Sequence, residues 1–178
     1  MTDGVLLHVC CGPCAIHPVS VLGARSLVAA YYYNPNIHPA EEYARRLSTA
    51  KQYFEQIGLR FVSGPYIPEQ YFSAIGSDVT KPARCEHCYE LRLSATAAAA
   101  AELGFGSFAT TLLVSPYQDR EAILAAGRRA AQTNHVDFIE QDFTSGYRAA
   151  QQESRERGMY RQKYCGCSYS KDEADEGR

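Results

Sequence analysis

The stretch VLLHVCCGPC, residues 5–14, decides the fold that this sequence predicts. Its first half, residues 5–9, is a short apolar run of the kind that forms a buried strand. Pro13 suits the first turn of a helix, which we expect to extend to about Leu22 and to end at Gly23. The cysteines of this stretch therefore lie where a buried strand meets a helix N-terminus.

The same alternation of strands and helices continues along the rest of the chain. Further strands are predicted at residues 26–33, 60–63, 108–114 and 136–140. Further helices are predicted at 39–57, 69–75, 89–103 and 147–158, with one more opened by a capping box at 115–118. This alternation indicates an α/β fold, a single domain with a three-layer, doubly wound parallel sheet. Because such folds bind ligands at the carboxyl ends of their strands, we expect residues 10–14 to form the floor of a site.

Length and composition describe one ordinary globular domain. The chain has 178 residues, of which 46% are hydrophobic, and its formal net charge of −2 gives no general indication of a nucleic-acid partner. We expect the domain to span residues 1–170 and the acidic residues 171–178 to form a flexible tail. No apolar run approaches the ~20 residues that cross a bilayer, and no signal peptide is recognisable. The sequence therefore predicts a cytoplasmic protein that does not contact a membrane.

The seven cysteines fall into three groups: Cys10, Cys11 and Cys14; Cys85 and Cys88; Cys165 and Cys167. Their odd number and the lack of an export signal disfavour a disulfide framework. Tight spacing within groups and long gaps between them are typical of metal ligation or redox chemistry. The first group ends in C-G-P-C, the dithiol motif of thioredoxin-like proteins, but a dithiol alone leaves five cysteines unused.

Four thiolates could also meet at two helix starts. Cys85 and Cys88 form a C-x-x-C just before a predicted helix, and the adjacent Cys10 and Cys11 precede the first helix. Helix N-termini favour thiolates, and four thiolates suit either a structural zinc or an iron–sulfur cluster. The spacing leaves both open, although the floor of an α/β site is an unusual place for a structural zinc. Cys14 could bind a second metal or pack in the core.

Six blocks of sequence, in one order almost from end to end, resemble the epoxyqueuosine reductases of the QueH type. They are LLHVCCGPC, YYNPNIHPAEEYARR, RCEHCYELRL, TTLLVSPYQD, DFTSGYR and YRQKYCGCSYS. The resemblance implies a fold of the adenine-nucleotide α-hydrolase-like (HUP) kind. It also implies removal of the epoxide oxygen from epoxyqueuosine at the wobble position of tRNA, the last step of queuosine formation. Other proteins of that fold carry a Gly/Ser-rich phosphate loop after the first strand; because cysteines stand there in this chain, we expect no use of ATP.

Carried over residue by residue, the resemblance also implies the cofactors and redox groups of the site. It assigns a [4Fe–4S] cluster to Cys10, Cys11, Cys85 and Cys88. It implies a redox-active pair at Cys165 and Cys167. It suggests an additional mononuclear iron, for which the ligands nominated in this sequence are Cys14, Asp142 and one cysteine of the 165/167 pair. An electron donor is required as well, and the sequence does not identify it.

Basic residues that precede the last cysteine pair are candidates for contact with tRNA. Arg155 and Arg157 belong to this stretch, and Glu153 and Glu156 among them leave an ordinary solvated helix face as the alternative. The residues nominated for substrate binding are Arg148, Arg161, Lys163 and Tyr164. The thirteen tyrosines of the chain offer stacking surfaces for an extruded base.

Further residues of the six blocks are weaker candidates for the site. Arg45 and Arg46 are second-choice phosphate contacts. The reaction needs a proton donor, for which His8, His38 and Tyr164 are candidates. His8 lies in the first predicted strand, where a histidine is more often a hydrogen-bonded part of the core.

Three other functions fit part of the pattern. A metal-dependent enzyme of another specificity, such as a relative of the tRNA thiolases, would need a nucleotide-binding loop and ATP. A zinc-binding module that grips RNA would hold zinc without sulfide. A thiol oxidoreductase using C-G-P-C would reduce disulfides without any metal. Turnover without ATP therefore separates the reductase from the first of these functions, and the metal and sulfide content of the protein separates it from the other two.

Overall fold

The computed structural model describes residues 2–177, so that Met1 of the predicted domain and Arg178 of the predicted tail lie outside the described residues. The strands are β1 (Thr2–His8), β2 (Leu27–Tyr32), β3 (Phe61–Ser63), β4 (Phe105–Thr110) and β5 (Asp137–Phe138). They form one parallel sheet in the order β3-β2-β1-β4-β5. β1 lies in the middle, and its Leu6 and Leu7 are fully buried because helices cover both faces of the sheet.

Seven α-helices are found in the described part of the chain. They are α1 (Gly12–Gly23), α2 (Ala40–Gln56), α3 (Pro68–Ile75), α4 (Ala83–Leu103), α5 (Arg120–Asn134), α6 (Tyr147–Glu156) and α7 (Ser168–Glu176). α1 packs against α2 and α6, whereas α4 packs against α5. Right-handed crossovers put these two sets on opposite faces of the sheet, which confirms the predicted three-layer, doubly wound α/β domain.

The strand order reverses between β1 and β4. His8, at the end of β1, has Tyr31 of β2 beside it on one side and Thr110 of β4 on the other. The chain leaves β1 toward one face of the sheet and leaves β4 toward the other, so a crevice opens between the two loops. This is the place where the fold offers a binding site.

Helix α4 begins earlier than the sequence predicts. It starts at residue 83 rather than 89, so that Cys85 and Cys88 lie in its first two turns instead of before it. The buried Arg84 anchors the N-terminus of α4, because its Nη2 donates to Glu173 Oε1 of α7 at 2.7 Å. As a consequence the C-x-x-C occupies one side of a helix, where residues three apart are neighbours.

The predicted capping box at residues 115–118 is wrong. The N-cap of α5 is Asp119, whose carboxylate accepts from the Ala122 N–H at 3.1 Å. Ser115 instead follows a 3-10 turn, Thr111–Val114, which the sequence analysis assigned to the preceding strand. Ser and Asp are both common N-cap residues. Because the 3-10 turn precedes Ser115, the helix starts later in the chain, and Asp119 rather than Ser115 is its N-cap.

Helix α7 crosses residue 170, where the predicted domain ends and the predicted tail begins. Glu173 attaches the helix to the start of α4, since its carboxylate lies 2.8 Å from Lys81 Nζ and 2.7 Å from Arg84 Nη2. The described residues of the acidic segment are thus mostly helical, and their flexibility stays a prediction. In the part of the chain that the structure describes, no helix combines the length and the apolar character needed to cross a bilayer.

We expect Gly127→Ala to destabilise the fold. A Cβ at Gly127 of α5 would lie 2.2 Å from Cε1 of Phe138, whose ring packs on Phe108 at a centroid distance of 4.9 Å. Overpacking of this kind costs about 1–3 kcal/mol in the free energy of unfolding, measured by urea denaturation. The control is Gly23→Ala at the exposed end of α1, where a Cβ meets no atom within 4 Å and a change within about 0.5 kcal/mol is expected. Equal stabilities of the two variants would contradict the tight α5–β5 contact.

Candidate metal centre

A cleft of about 750 Å³ opens at the carboxyl ends of β1 and β4. Its walls come from the loops after these two strands, the first turns of α4, the start of α6, and residues 161–165. Cys10, Cys14, Cys85, Cys165 and Cys167 all line it. The structure therefore confirms that the first strand-to-helix loop forms the floor of the site, and it brings all three cysteine groups to that site.

Cys10, Cys11 and Cys14 form the first thiol group, with sulfurs that all lie within 4.8 Å of one another. Cys11 is the extended N-cap residue of α1, and Cys14 lies in the first turn of that helix. Thr111 fixes Cys10 from the loop after β4: its hydroxyl donates to Cys10 Sγ at 3.3 Å and accepts from the Cys10 N–H at 3.1 Å. Three soft donors are thus preorganised where two loops meet.

The first thiol group stabilises one thiolate. Hydrogen bonds from the thiols of Cys11 and Cys14, with a further one from Thr111, hold the pKa of Cys10 well below its ordinary value, although burial opposes this shift. Burial raises the pKa of Cys11, and the hydrogen bond that Cys14 makes to Cys10 raises the pKa of Cys14. Within this group the hydrogen bonds therefore favour a thiolate at Cys10 over one at Cys11 or Cys14.

Cys85, Cys88, Cys165 and Cys167 form the second thiol group. Cys88 and Cys167 are buried together in a small apolar cluster with Tyr71 of α3. Cys165 is exposed in the cleft, where the Gln118 side chain approaches its sulfur at 3.6 Å. Burial raises the pKa of Cys85 and raises that of Cys88 to about 12, which favours the protonated form of both thiols.

The four cysteines predicted to hold a cluster are divided between these groups. Cys10 and Cys11 lie with Cys14, and Cys85 and Cys88 lie with the C-x-C. Among the described residues, the first thiol group is the one set of three or more metal-binding side chains in mutual contact. All seven cysteines are free thiols. The ligand set of Cys10, Cys11, Cys85 and Cys88 therefore stays a prediction.

Arg46 of α2 holds the loop that carries the C-x-C. Its guanidinium donates to Cys165 O at 2.8 Å and to Tyr164 O at 3.0 Å, and its Nε donates to Glu42 Oε1 at 2.7 Å. The side chain is 1% exposed, so its suggested role as a phosphate contact is wrong. Gly166 completes the loop with φ +150°, and a Cβ there would approach Asn36 Nδ2 at 3.1 Å.

The nominated substrate-binding residues occupy different places. Arg161 and Lys163 are exposed on the rim of the cleft, and Arg161 donates to Gln151 Oε1 at 2.9 Å. Tyr164 lines the cleft too, but its hydroxyl donates to His38 O and thereby anchors the loop. Arg148 is exposed on α6 and does not belong to the lining of the cleft, as far as the described residues define it.

Neither Asp142 nor His8 belongs to the lining of the cleft, as far as the described residues define it. Asp142 is exposed outside the cleft lining, and its carboxylate accepts from the Thr144 N–H at 2.8 Å, which lowers its pKa. Its role as an iron ligand stays a prediction. His8 is fully buried against Thr110 Oγ1 at 2.9 Å, and burial lowers its pKa to about 3. His8 is thus a hydrogen-bonded core residue, which is the role that its position in the first predicted strand favours.

Two polar residues of the site carried no prediction. Gln162 donates from Nε2 to Cys11 Sγ at 3.1 Å and lies 3.7 Å from Cys14 Sγ. Arg92 lies in the lining of the cleft four residues after Cys88 on α4. The sequence signal that could have identified Arg92 is its distance of four residues from Cys88 and seven from Cys85, because residues three, four and seven apart share a helix face.

The comparison with known families decides where this chain belongs. The family described as epoxyqueuosine reductase QueH matches residues 5–173, nearly the whole chain. The chain belongs to this family. A QueH relative from Streptococcus pyogenes serotype M1 is 32% identical over 93% of this chain and 69% of its own length. Another from Dehalococcoides mccartyi is 32% identical over 96% of this chain and 93% of its own length.

A solved structure supports the fold assignment for this QueH-family chain. The U34-tRNA thiolase NcsA from Methanococcus maripaludis, solved with its [4Fe–4S] cluster, matches with a TM-score of 0.59. The match covers 99% of this chain and 65% of that one, at 13% identity. At this identity the likeness concerns the fold alone, and it agrees with the single α/β domain and parallel sheet described above.

We expect Cys10 to react as a thiolate at a pH where ordinary thiols are protonated. In metal-free, reduced protein, the rate at which iodoacetamide labels Cys10 should rise less between pH 6.5 and pH 8 than the rate for an ordinary thiol, because its pKa is lowered. Peptide mass spectrometry measures the rate, with glutathione as the reference thiol. The double variant Cys11→Ala/Cys14→Ala removes both S–H donors and should restore an ordinary pH dependence. Labelling of the unmodified chain that rises about tenfold per pH unit would contradict the lowered pKa of Cys10.

Proposed function

We propose that this chain is an epoxyqueuosine reductase that converts epoxyqueuosine to queuosine at the wobble position of tRNA. The observation that carries the proposal is the convergence of three distant cysteine segments on one cleft at the switch point of the sheet, where five of the seven thiols line the cleft. Membership in the QueH family across residues 5–173 supplies the specificity of the proposal. A thiol-lined cleft of this size can admit one modified base while the rest of the RNA stays outside.

The cofactor we propose is a [4Fe–4S] cluster on Cys10, Cys11, Cys85 and Cys88. The donor chemistry supports it: thiolates are the usual ligands of such clusters. Cys10 and Cys11 directly precede α1, and Cys85 and Cys88 lie in the first two turns of α4. When bound, the cluster supplies electrons one at a time. Cys14, Asp142 and one cysteine of the C-x-C remain the proposed ligands of an additional iron.

The redox pair we propose is Cys165 and Cys167. Removal of the epoxide oxygen breaks two C–O bonds, forms a C=C bond and releases water, which takes up two electrons and two protons. Oxidation of a dithiol to a disulfide releases two electrons and two protons, so the overall reaction balances. Cys165 is exposed in the cleft, and Cys167 lies buried behind it, next to Cys88. The substrate can therefore reach the pair from the Cys165 side. An electron donor must then reduce the disulfide.

The rim of the cleft suits RNA. Arg161 and Lys163 are exposed there and form no ion pair with a carboxylate in the part of the chain that the structure describes. Tyr117 is 82% exposed, and its ring meets Tyr147 edge to face at 6.1 Å. Cations that face solvent attract phosphates, and exposed rings can stack on bases.

The C-G-P-C dithiol is a weaker candidate for the reaction. A thioredoxin-type nucleophile is an accessible thiol with a lowered pKa. Cys11 and Cys14 are buried and have raised pKa values, and the thiol with the lowered pKa is Cys10, which precedes the motif.

Iron, zinc and acid-labile sulfide in anaerobically purified protein test the cofactor. We expect iron and sulfide in the ratio of a [4Fe–4S] cluster, with any additional iron in excess of sulfide. Cys88→Ala should lose the sulfide, whereas Cys165→Ala and Cys167→Ala should keep it and lose queuosine formation in a single-turnover assay on epoxyqueuosine-containing tRNA. Zinc without sulfide would contradict the proposal and favour the RNA-binding zinc module.

The double variant Arg161→Ala/Lys163→Ala tests the RNA-binding rim. We expect weaker tRNA binding and a slope of log K against log[salt] that falls by up to about 2, because each lost phosphate contact removes about one unit. The matched control is Arg128→Ala/Arg129→Ala on α5, two exposed arginines paired with Glu140 and Glu90 outside the cleft. Equal slopes for the two double variants, measured by filter binding, would exclude this rim as the RNA surface.

A further inference from the structure

Arg92 is a buried cation without an anionic partner of its own. It is 1% exposed in the middle of α4. Its Nη1 lies 3.3 Å from Asn36 Oδ1 and 3.5 Å from Asn34 Oδ1, whereas Nε and Nη2 have no hydrogen-bond partner among the described residues. A guanidinium has five N–H donors, and burying it without matching acceptors is costly.

The other two buried arginines have carboxylate partners. Arg46 is paired with Glu42, and Arg84 is paired with Glu173. Within the described residues Arg92 alone of the three forms no such ion pair. The fold therefore keeps one positive charge in its interior that no protein carboxylate neutralises.

The two asparagines fix Arg92 without neutralising it. Asn34 and Asn36 are both buried in the loop after β2, and Asn34 Nδ2 donates to Val9 O at 2.9 Å. This bond ties the guanidinium to the end of β1, one residue before Cys10. Amide oxygens orient a cation but leave its charge available to an anion nearby.

The groups nearby that become anions when a metal binds are the thiols of all three cysteine segments. Arg92 lies on the same face of α4 as Cys85 and Cys88, and it lines the cleft together with Cys10 and Cys165. Burial opposes the charge on Arg92, but the negative charge that Cys88, Cys165 and Cys10 can carry outweighs this effect and raises its pKa. Geometry and electrostatics thus direct the unpaired charge at the thiols.

We propose that Arg92 is a positioning residue whose buried guanidinium compensates the negative charge of the thiolate-bound metal centre. The proposal rests on the proposed function, because that function puts several thiolates and a cluster in the cleft. Metal binding releases the thiol protons and leaves thiolates close to Arg92. The guanidinium therefore stabilises the loaded protein much more than the metal-free protein, and it favours addition of an electron to the centre.

The melting temperatures of metal-free and anaerobically reconstituted protein test this role. In the unmodified chain, loading should raise the melting temperature by several degrees. In Arg92→Met the metal-free protein should melt at the same or a higher temperature, because an incompletely bonded buried charge is gone, and the rise on loading should shrink by half or more. Arg92→Lys keeps a charge and should recover part of the rise. The loaded Arg92→Met variant should also be harder to reduce in an anaerobic redox titration.

Arg128→Met is the control for the loss of one positive charge. Arg128 is exposed on α5 and paired with Glu140 outside the cleft lining, so this variant should leave both melting temperatures and the rise on loading nearly unchanged. A second variant, Asn36→Asp, gives Arg92 a carboxylate partner and should stabilise the metal-free protein while reducing the rise on loading.

The outcomes separate the two proposals. If the unmodified chain takes up no iron and sulfide, the proposed cofactor fails, and the role of Arg92 falls with it. If it takes up the cluster and Arg92→Met behaves like Arg128→Met, with an unchanged rise on loading and an unchanged reduction potential, Arg92 is a structural residue and only the present inference is overturned.

Discussion

Negative charge in a largely apolar cleft is the constraint on which the rest of this structure depends. Cysteines act as ligands and nucleophiles in the thiolate form, and thiolates that are close together repel one another and lose hydration. The groups that offset this cost come from separate parts of the chain. They are the N-terminus of α1, the Thr111 hydroxyl, the Gln162 amide and the Arg92 guanidinium. Because β1 and β4 are neighbours in the sheet although distant in sequence, these groups reach the same cleft.

Much of the fold follows from local pattern. The strand β1, the helix α1 and the alternation that follows them are set by apolar runs, Pro13 and glycines, whose effects extend over a few residues. The cysteine groups are visible for the same reason, since spacing within each group is a local property. From parallel α/β topology alone, the loop after β1 could be assigned to the floor of the site, and the structure has it there.

The parts that sequence could not supply depend on partners far along the chain. Arg46 in EEYARR has the appearance of a surface cation, but Glu42 and the distant carbonyl oxygens of Tyr164 and Cys165 provide the acceptors that allow it to be buried. The start of α4 likewise depends on Glu173 of α7. The sequence pattern alone places such charged residues in solvent, in the tail or on phosphates, whereas the tertiary ion pair of Arg84 and the carbonyl contacts of Arg46 accompany their burial.

The two cysteines of the C-x-C illustrate how this scaffold gives similar residues different chemistry. Arg46 and Gly166 fix the loop so that Cys165 faces the cleft and is exposed, while Cys167 is buried at the N-cap of α7, where the Ser170 N–H donates to its sulfur at 3.4 Å. A reductant or substrate that enters from solvent therefore meets Cys165 first. Cys167 lies on the inner side, in the same apolar cluster as Cys88 of the C-x-x-C. In the proposed reaction the two sulfurs therefore have different roles. The outer sulfur, of Cys165, meets the substrate, and the inner sulfur, of Cys167, adjoins a proposed ligand of the cluster.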